Sequence, residues 1–283
     1  MARWTGIVLA LPPSRADGMA SRLPTYLHPI AGRPLVWHAV SAFGEIESPP
    51  SRLLVISEGD LSADLFHDLA HPVEVLAVPA GDERTRRDLQ TLDDGEEACV
   101  VVHASSVMPA AAIERLRDQP VGRWIPGGDD QAAAVRSDAE HLPMLFRLPD
   151  PFTVPNGALA AADSLDDVAP VPIVRDRAQL AATSERIRRQ LIRNLMAGGV
   201  SFLLPDTVLV DVDVRVGRDS IVYPGVVLEG STTVGEETVI GPGCRIIDSW
   251  VGSGVELRGW NYLSHTSIRN RAILEPYVRR GYD

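Results

Sequence analysis

The strongly basic side chains of this sequence are all arginine, 27 of them, with no lysine. Arginine grips phosphate oxygens through a planar, permanently charged fork, but any chemistry that needs a catalytic or phosphate-binding lysine is closed to the chain. Arg15, Arg22 and Arg33 fall close together near the start, and Arg84, Arg86 and Arg87 follow Gly81. Such groups suit a phosphate held without a metal; a solvated basic rim is the plainer reading. His265 is the sole histidine after residue 200, a general base by type and a surface or packing residue by default. Asp93-Asp94, Glu96-Glu97 and Asp166-Asp167 sit among turn-forming residues and read as solvated loop. Trp250, Trp260 and Tyr262 could cover a trimer face or the coil end, and filling a core or capping an edge is the plainer expectation. Cys99 and Cys244 lie too far apart in sequence to suggest a disulfide framework or a metal cluster.

A formal charge of −11 argues against a nucleic-acid surface and against anionic membranes. Hydrophobic content of 45% with 23% charged residues fits a globular protein. No signal-peptide run opens the sequence and no apolar stretch is long enough to cross a bilayer, so a cytoplasmic location is expected.

Up to about residue 160, short apolar runs alternate with helical stretches. Ile7–Leu11, Leu53–Ile56, Val73–Val78 and Cys99–Val102 read as strands; Leu35–Phe43, Leu61–Ala70, Arg84–Leu92 and Ala110–Arg117 read as helices. Continuous apolar strands separated by helices imply an α/β domain with a parallel sheet covered on both faces, which binds ligands beyond the carboxyl ends of its strands. From Asp176 to Ala197 the apolar residues Leu180, Ile187, Leu191 and Leu195 recur at helical spacing, and Gly198-Gly199 stops the helix.

The period then changes. Leu204, Val210, Val216, Val222, Leu228, Val234, Ile240 and Ile246 fall every sixth residue. After a slip of one, Val251, Leu257 and Leu263 continue, and a second slip leads to Ile268 and Leu274. A six-residue repeat is the signature of a parallel β-helix, each aliphatic pointing into a triangular core. Flat faces on a short β-helix favour three-fold packing, so a homotrimer is expected.

The segment Leu23-Pro24-Thr25-Tyr26-Leu27-His28-Pro29-Ile30-Ala31-Gly32-Arg33-Pro34-Leu35 resembles the nucleotidyltransferase superfamily. It is most similar to the bifunctional N-acetylglucosamine-1-phosphate uridyltransferase/acetyltransferase family, whose motif reads LPKxLxPxxGxP. Methylerythritol-phosphate cytidylyltransferases share that segment and also resemble Gly81–Leu92, where Arg84 matches a motif arginine, and Val100–His103. Asp176–Leu180 with Leu195–Val200 resembles the bifunctional family's linker helix, and Val222–Gly230 its opening β-helix coils. The resemblance implies a Rossmann-like nucleotidyltransferase domain over 1–175, a linker helix over 176–199 and a truncated left-handed β-helix over 200–283.

The chemistry that the resemblance implies does not carry over. The family's glycine-rich phosphate loop is Leu9-Ala10-Leu11-Pro12-Pro13-Ser14-Arg15-Ala16-Asp17-Gly18-Met19 here, and prolines have no N–H to offer a phosphate. Thr25 stands at the motif lysine. The family's Mg²⁺ ligands, an aspartate after the fourth strand and an asparagine before the linker, correspond to Ser106 and Arg175. Asn156 with Gly157 resembles the family's sugar-binding asparagine, and residues 120–155 look shortened. The family's acetyltransferase site lies in coils beyond those matched, so His265 falls outside it.

These residues lead to a degenerate nucleotidyltransferase-like protein without cofactor, acting as a trimeric ligand-binding or scaffold subunit. Its ligand would be a nucleotide or a sugar phosphate, held by Arg15, Arg22, Thr25, Arg33, Arg84, Asn156 and Gly157, or its partner an enzyme. The alternatives are an active sugar-1-phosphate nucleotidyltransferase with a rewired site, which alone would need Mg²⁺, and an acyltransferase on the β-helix.

Overall fold

The computed structural model describes residues 3–10, 18–57, 60–77, 99–128, 131–137, 152, 164–165 and 168–281. The chain divides into two compact units: Met1–His28 with Pro34–Leu180, and Pro29–Arg33 with Ala181–Asp283.

The first unit is built on a six-stranded sheet. Its strands are β1 (Thr5–Ala10), β2 (Arg52–Ser57), β3 (Val73–Ala77), β4 (Cys99–His103), β5 (Trp124–Gly128) and β6 (Gln131–Ser137), in the order β3-β2-β1-β4-β6-β5. Ile7 lies opposite Leu54 and Val101, the register of a parallel core. Successive residues bury on opposite faces, as a strand's period of two requires. Val8, Val55, Val100 and Val102 pack with helices α1 (Leu35–Ser41) and α2 (Ala110–Arg117), whereas Ile7, Leu9, Leu54 and Val101 pack with Trp124 and Phe152. Pro34 and Pro109, at the caps of α1 and α2, lack an N–H at positions where a helix needs none from them.

Two expectations are corrected here. The sheet is mixed, not purely parallel: β6 runs antiparallel to both β4 and β5. Pro126 sits on the edge strand β5 at a register shift, the one place in a sheet that tolerates a missing donor. The helix expected over Leu61–Ala70 is a single 3₁₀ turn, Ala63–Phe66, with Ser62 Oγ accepting from Asp64 N–H at 3.2 Å. Phe66 is its one buried residue, too little apolar anchorage for a costly helix nucleus. The expected helix over Arg84–Leu92 lies outside the described residues.

Helix α3 (Arg177–Ala197) ends where Gly199 adopts φ +96°, the left-handed turn that glycine takes without strain. Beyond it the second unit coils into a three-sided parallel β-helix. One face stacks 209–210, 227–229, 245–247, 262–264 and 279–281. A second stacks 215–216, 233–234, 250–251 and 267–268, and a third 201–202, 221–222, 239–240, 256–257 and 273–274. The aliphatics of the six-residue repeat point inward: Val222, Leu228, Ile240, Ile246, Val251, Leu257 and Leu263 show no exposed surface.

The first repeat position was misplaced. Leu204 is 55% exposed, and Phe202 takes its place, pairing with Val222. A 3₁₀ turn over Pro205–Thr207 adds residues between Phe202 and Val210 and so breaks the period. The tryptophans of the β-helix do not fill its core. Trp250 and Trp260 lie outside the core, 46% and 57% exposed, because both fall on outward positions of their coils.

Candidate functional site

A sheet of this strand order accepts ligands beyond the carboxyl ends of its parallel strands. Four chain segments converge just past the end of β4. Ser106 forms an antiparallel bridge with Ile173, and Val174 N–H donates to the Ser105 carbonyl at 2.9 Å. Gly18 bridges Asp176 in parallel, so closely that a Cβ on Gly18 would lie 2.8 Å from that of Asp176. Gln131, at the start of β6, accepts a hydrogen bond from the Arg175 guanidinium.

Local sequence fixes this convergence. Asp176 Oδ1 accepts from Gln179 N–H at 2.7 Å, capping α3, while Gln179 Oε1 accepts from Arg175 N–H at 2.8 Å. The reciprocal pair resembles a capping box shifted by one residue, and it fixes the backbone of Arg175 as the helix begins. Across from it, Ser106 is fully buried and its Oγ donates to the His103 carbonyl at 2.7 Å. His103 Nδ1 accepts from Ser105 N–H at 2.9 Å, and its ring lies 4.9 Å from that of Phe152.

The positions that the family would use for Mg²⁺ therefore lie on neighbouring segments, but their side chains do not fit a metal. The Ser106 hydroxyl is turned to a carbonyl, and a guanidinium carries the charge of the ion it would face. Among the described residues no group of three or more His, Cys, Asp or Glu could hold a metal ion. Mg²⁺ ordinarily takes one or two carboxylates plus substrate phosphates.

The other expected site residues scatter. Thr25 is 3% exposed in a 3₁₀ turn, Thr25–Leu27, so it offers no surface to a phosphate. Arg22 is exposed. Arg33 belongs to the second unit, where its Nε donates to Asp213 Oδ2 at 2.7 Å. That carboxylate neutralises the charge which the sequence would lend to a ligand. Beside it, Ala31 and Gly32 both have positive φ, +46° and +82°, the backbone of a tight hairpin turn. Any Cβ on Gly32 would stand 2.7 Å from Asp211 Oδ2, so glycine is required twice over. Arg15, Arg84, Asn156 and Gly157 lie outside the described residues, as do Pro12, Pro13, the acidic pairs, Arg86 and Arg87. The Asp176-x-x-Gln179 pattern is legible as a helix cap, but Gln131 carries no signal in the sequence.

Residues 213–248 match the family model described as bacterial transferase hexapeptide (six repeats). The bifunctional protein GlmU of Rhodococcus opacus (strain B4) is 28% identical across 97% of this chain and 68% of that protein. The chain is similar to the bifunctional GlmU proteins along nearly its whole length. GlmU of Geobacillus sp. (strain WCH70) is 34% identical over 44% of this chain, and that match spans 27% of its own length. The Rhodococcus alignment runs over 345 positions against a chain of 283 residues, so the GlmU relative carries extra residues within the matched region. Among solved structures, a CMP:2-keto-3-deoxy-manno-octonic acid synthetase complexed with CTP covers 67% of this chain and all of its own at TM-score 0.45 and 13% identity. The bifunctional IspDF from Campylobacter jejuni covers 64% of this chain and 54% of its own, also at 0.45, with 15% identity. Neither bears on the site. No helix among the described residues is long and apolar enough to cross a membrane.

Proposed function

We propose that this GlmU-like chain does not catalyse metal-dependent nucleotidyl transfer and acts as a trimeric, cytoplasmic binding or scaffold subunit. The observation that carries the reading is the Arg175 guanidinium, bonded to Gln131 on the segment beside Ser106. Nucleotidyl transfer depends on positioning phosphates and neutralising their charge, with little covalent help from the protein. Removing one preorganised electrostatic group commonly costs about 10²–10³ in rate. Here the lysine position is the buried Thr25, and both metal positions carry side chains unsuited to a cation. The rewired alternative, in which arginines replace the lysine, is weakened by the commitment of Arg33 to Asp213.

A trimer draws support from the outer surface of the β-helix. Ile221 and Val239 stack outward on one face, Ile273 follows beyond Glu256 on the same face, and Leu209 projects from another, 56% exposed. Burying such exposed aliphatics between copies stabilises an oligomer. Titration calorimetry with UDP-sugars, CTP and UTP tests the ligand half of the reading. Heat with one of them identifies the ligand, and silence with all leaves the partner-protein version standing. Sedimentation equilibrium at micromolar concentration is expected to give three times the chain mass; a monomer would remove the trimer.

A further inference from the structure

The two slips in the six-residue repeat occupy the same corner of the β-helix in successive coils. Leu228 to Val234 takes the full six residues, but Ile246 to Val251 and Leu263 to Ile268 take five. The corners stack: Asp248 N–H donates to the Glu229 carbonyl at 3.2 Å and His265 N–H to the Ile247 carbonyl at 3.0 Å. Gly230, Asp248 and His265 turn them at φ +62°, +42° and +46°. At these corners lies an open notch of about 440 Å³. Hydroxyls of Ser231, Thr233, Thr266 and Ser267 line it, together with Asp248, His265 and the outward Trp250, over the buried Ser249.

We propose that this notch binds the ring of an uncharged sugar. Its volume falls in the range of small-molecule sites, about 300–1,000 Å³. Trp250 stands between Thr233 and Ser267 on its face, so the indole is flanked by hydroxyls above and below. An indole π-face, electron-rich and apolar, suits the slightly positive C–H face of a sugar ring. Asp248 Oδ1 already accepts from Ser231 N–H at 2.9 Å, which fixes the carboxylate, while Oδ2 faces His265 Nε2 across 4.0 Å. A carboxylate held in this way accepts ring hydroxyls strongly, and the side-chain hydroxyls both donate and accept. The same carboxylate repels a phosphate. A lining of hydroxyls and charged groups offers little to an apolar ligand. The site lies wholly in the second unit and does not depend on the reading of the first.

Saturation-transfer NMR and calorimetry on the full chain test the proposal, with methyl glycosides of glucose, galactose and N-acetylglucosamine as probes and inorganic phosphate as the contrast. At least one glycoside is expected to bind saturably. Trp250→Ala and Asp248→Asn should each weaken it by about tenfold, and Trp250→Phe should retain most of it. Thermal melting guards against misfolding in the variants. The proposal is overturned if no glycoside binds, if both weakening variants bind as the parent does, or if phosphate alone occupies the notch. A glycoside bound in the first unit would survive Trp250→Ala, so the two sites are separable.

Discussion

Arg33 Nε and Asp213 Oδ2 meet at 2.7 Å, joining residues 180 positions apart within the second unit. An arginine at the heart of the nucleotidyltransferase-like motif thus contributes to structure. Both side chains are partly exposed, 22% and 31%, so solvent screens the pair. A double-mutant cycle with Arg33→Ala and Asp213→Ala is expected to give a coupling of about 0.5–1 kcal/mol in urea unfolding, smaller at high salt. Additive single effects would show the pair to be idle.

Arg188 organises the junction of α3 and the first β-helix coil. Its side chain is 8% exposed; it pairs with Glu185 at 2.7 Å and donates to the Pro205 and Val208 carbonyls at 2.7 and 3.3 Å. Arg188→Ala removes the guanidinium donor from both carbonyls, leaving Pro205 only the Val208 N–H at 3.3 Å, and is expected to cost about 1–3 kcal/mol. Arg188→Lys should recover less than half, because a single ammonium cannot reproduce the fork. Full recovery by lysine in chemical denaturation would contradict this.

Stability is expected to depend on Asp211. Burial pushes its carboxyl above the ordinary aspartate value, opposed by the Gly230 N–H at 2.8 Å and reinforced by Glu229, Asp213 and Asp248. The folded state then holds the proton more tightly than the unfolded one. Its contribution to stability is present at low pH and lost as pH rises through the folded value. Asp211→Asn keeps an acceptor for Gly230 and removes the charge. The variant should melt higher than the parent at pH 7, with the gap closing towards about pH 4. A gap independent of pH would reject the assignment.

The inward and outward positions of the coil should separate cleanly by mutation. Ile246→Ala removes a fully buried side chain and is expected to cost about 2–5 kcal/mol. Leu204→Ala, at a position that satisfies the same six-residue period but is 55% exposed, should stay within about 0.5 kcal/mol. Equal losses would mean that the period, not the observed coil, locates the core.

What could be read from sequence follows from this contrast. A repeat states one local rule many times, so Val222 to Leu274 were legible from spacing alone. The entry to the β-helix was not, since the turn at Pro205–Thr207 displaces Phe202 from the period. Strands β1, β2 and β4 were legible because they are buried on both faces. The β5–β6 hairpin was missed because Ala132–Ala134 are small and Pro126 reads against a strand. At the site, the substitutions at Ser106 and Arg175 were visible by position. The bond from Arg175 to Gln131, 44 residues away, rests on tertiary packing that no spacing rule encodes.

The most direct test of the catalytic reading is pyrophosphate release by the full chain from nucleoside triphosphates with sugar-1-phosphates and Mg²⁺. No release above the protein-free background is expected, in the parent or in Arg175→Ala. Saturable, Mg²⁺-dependent release by the parent that falls in Arg175→Ala would contradict it.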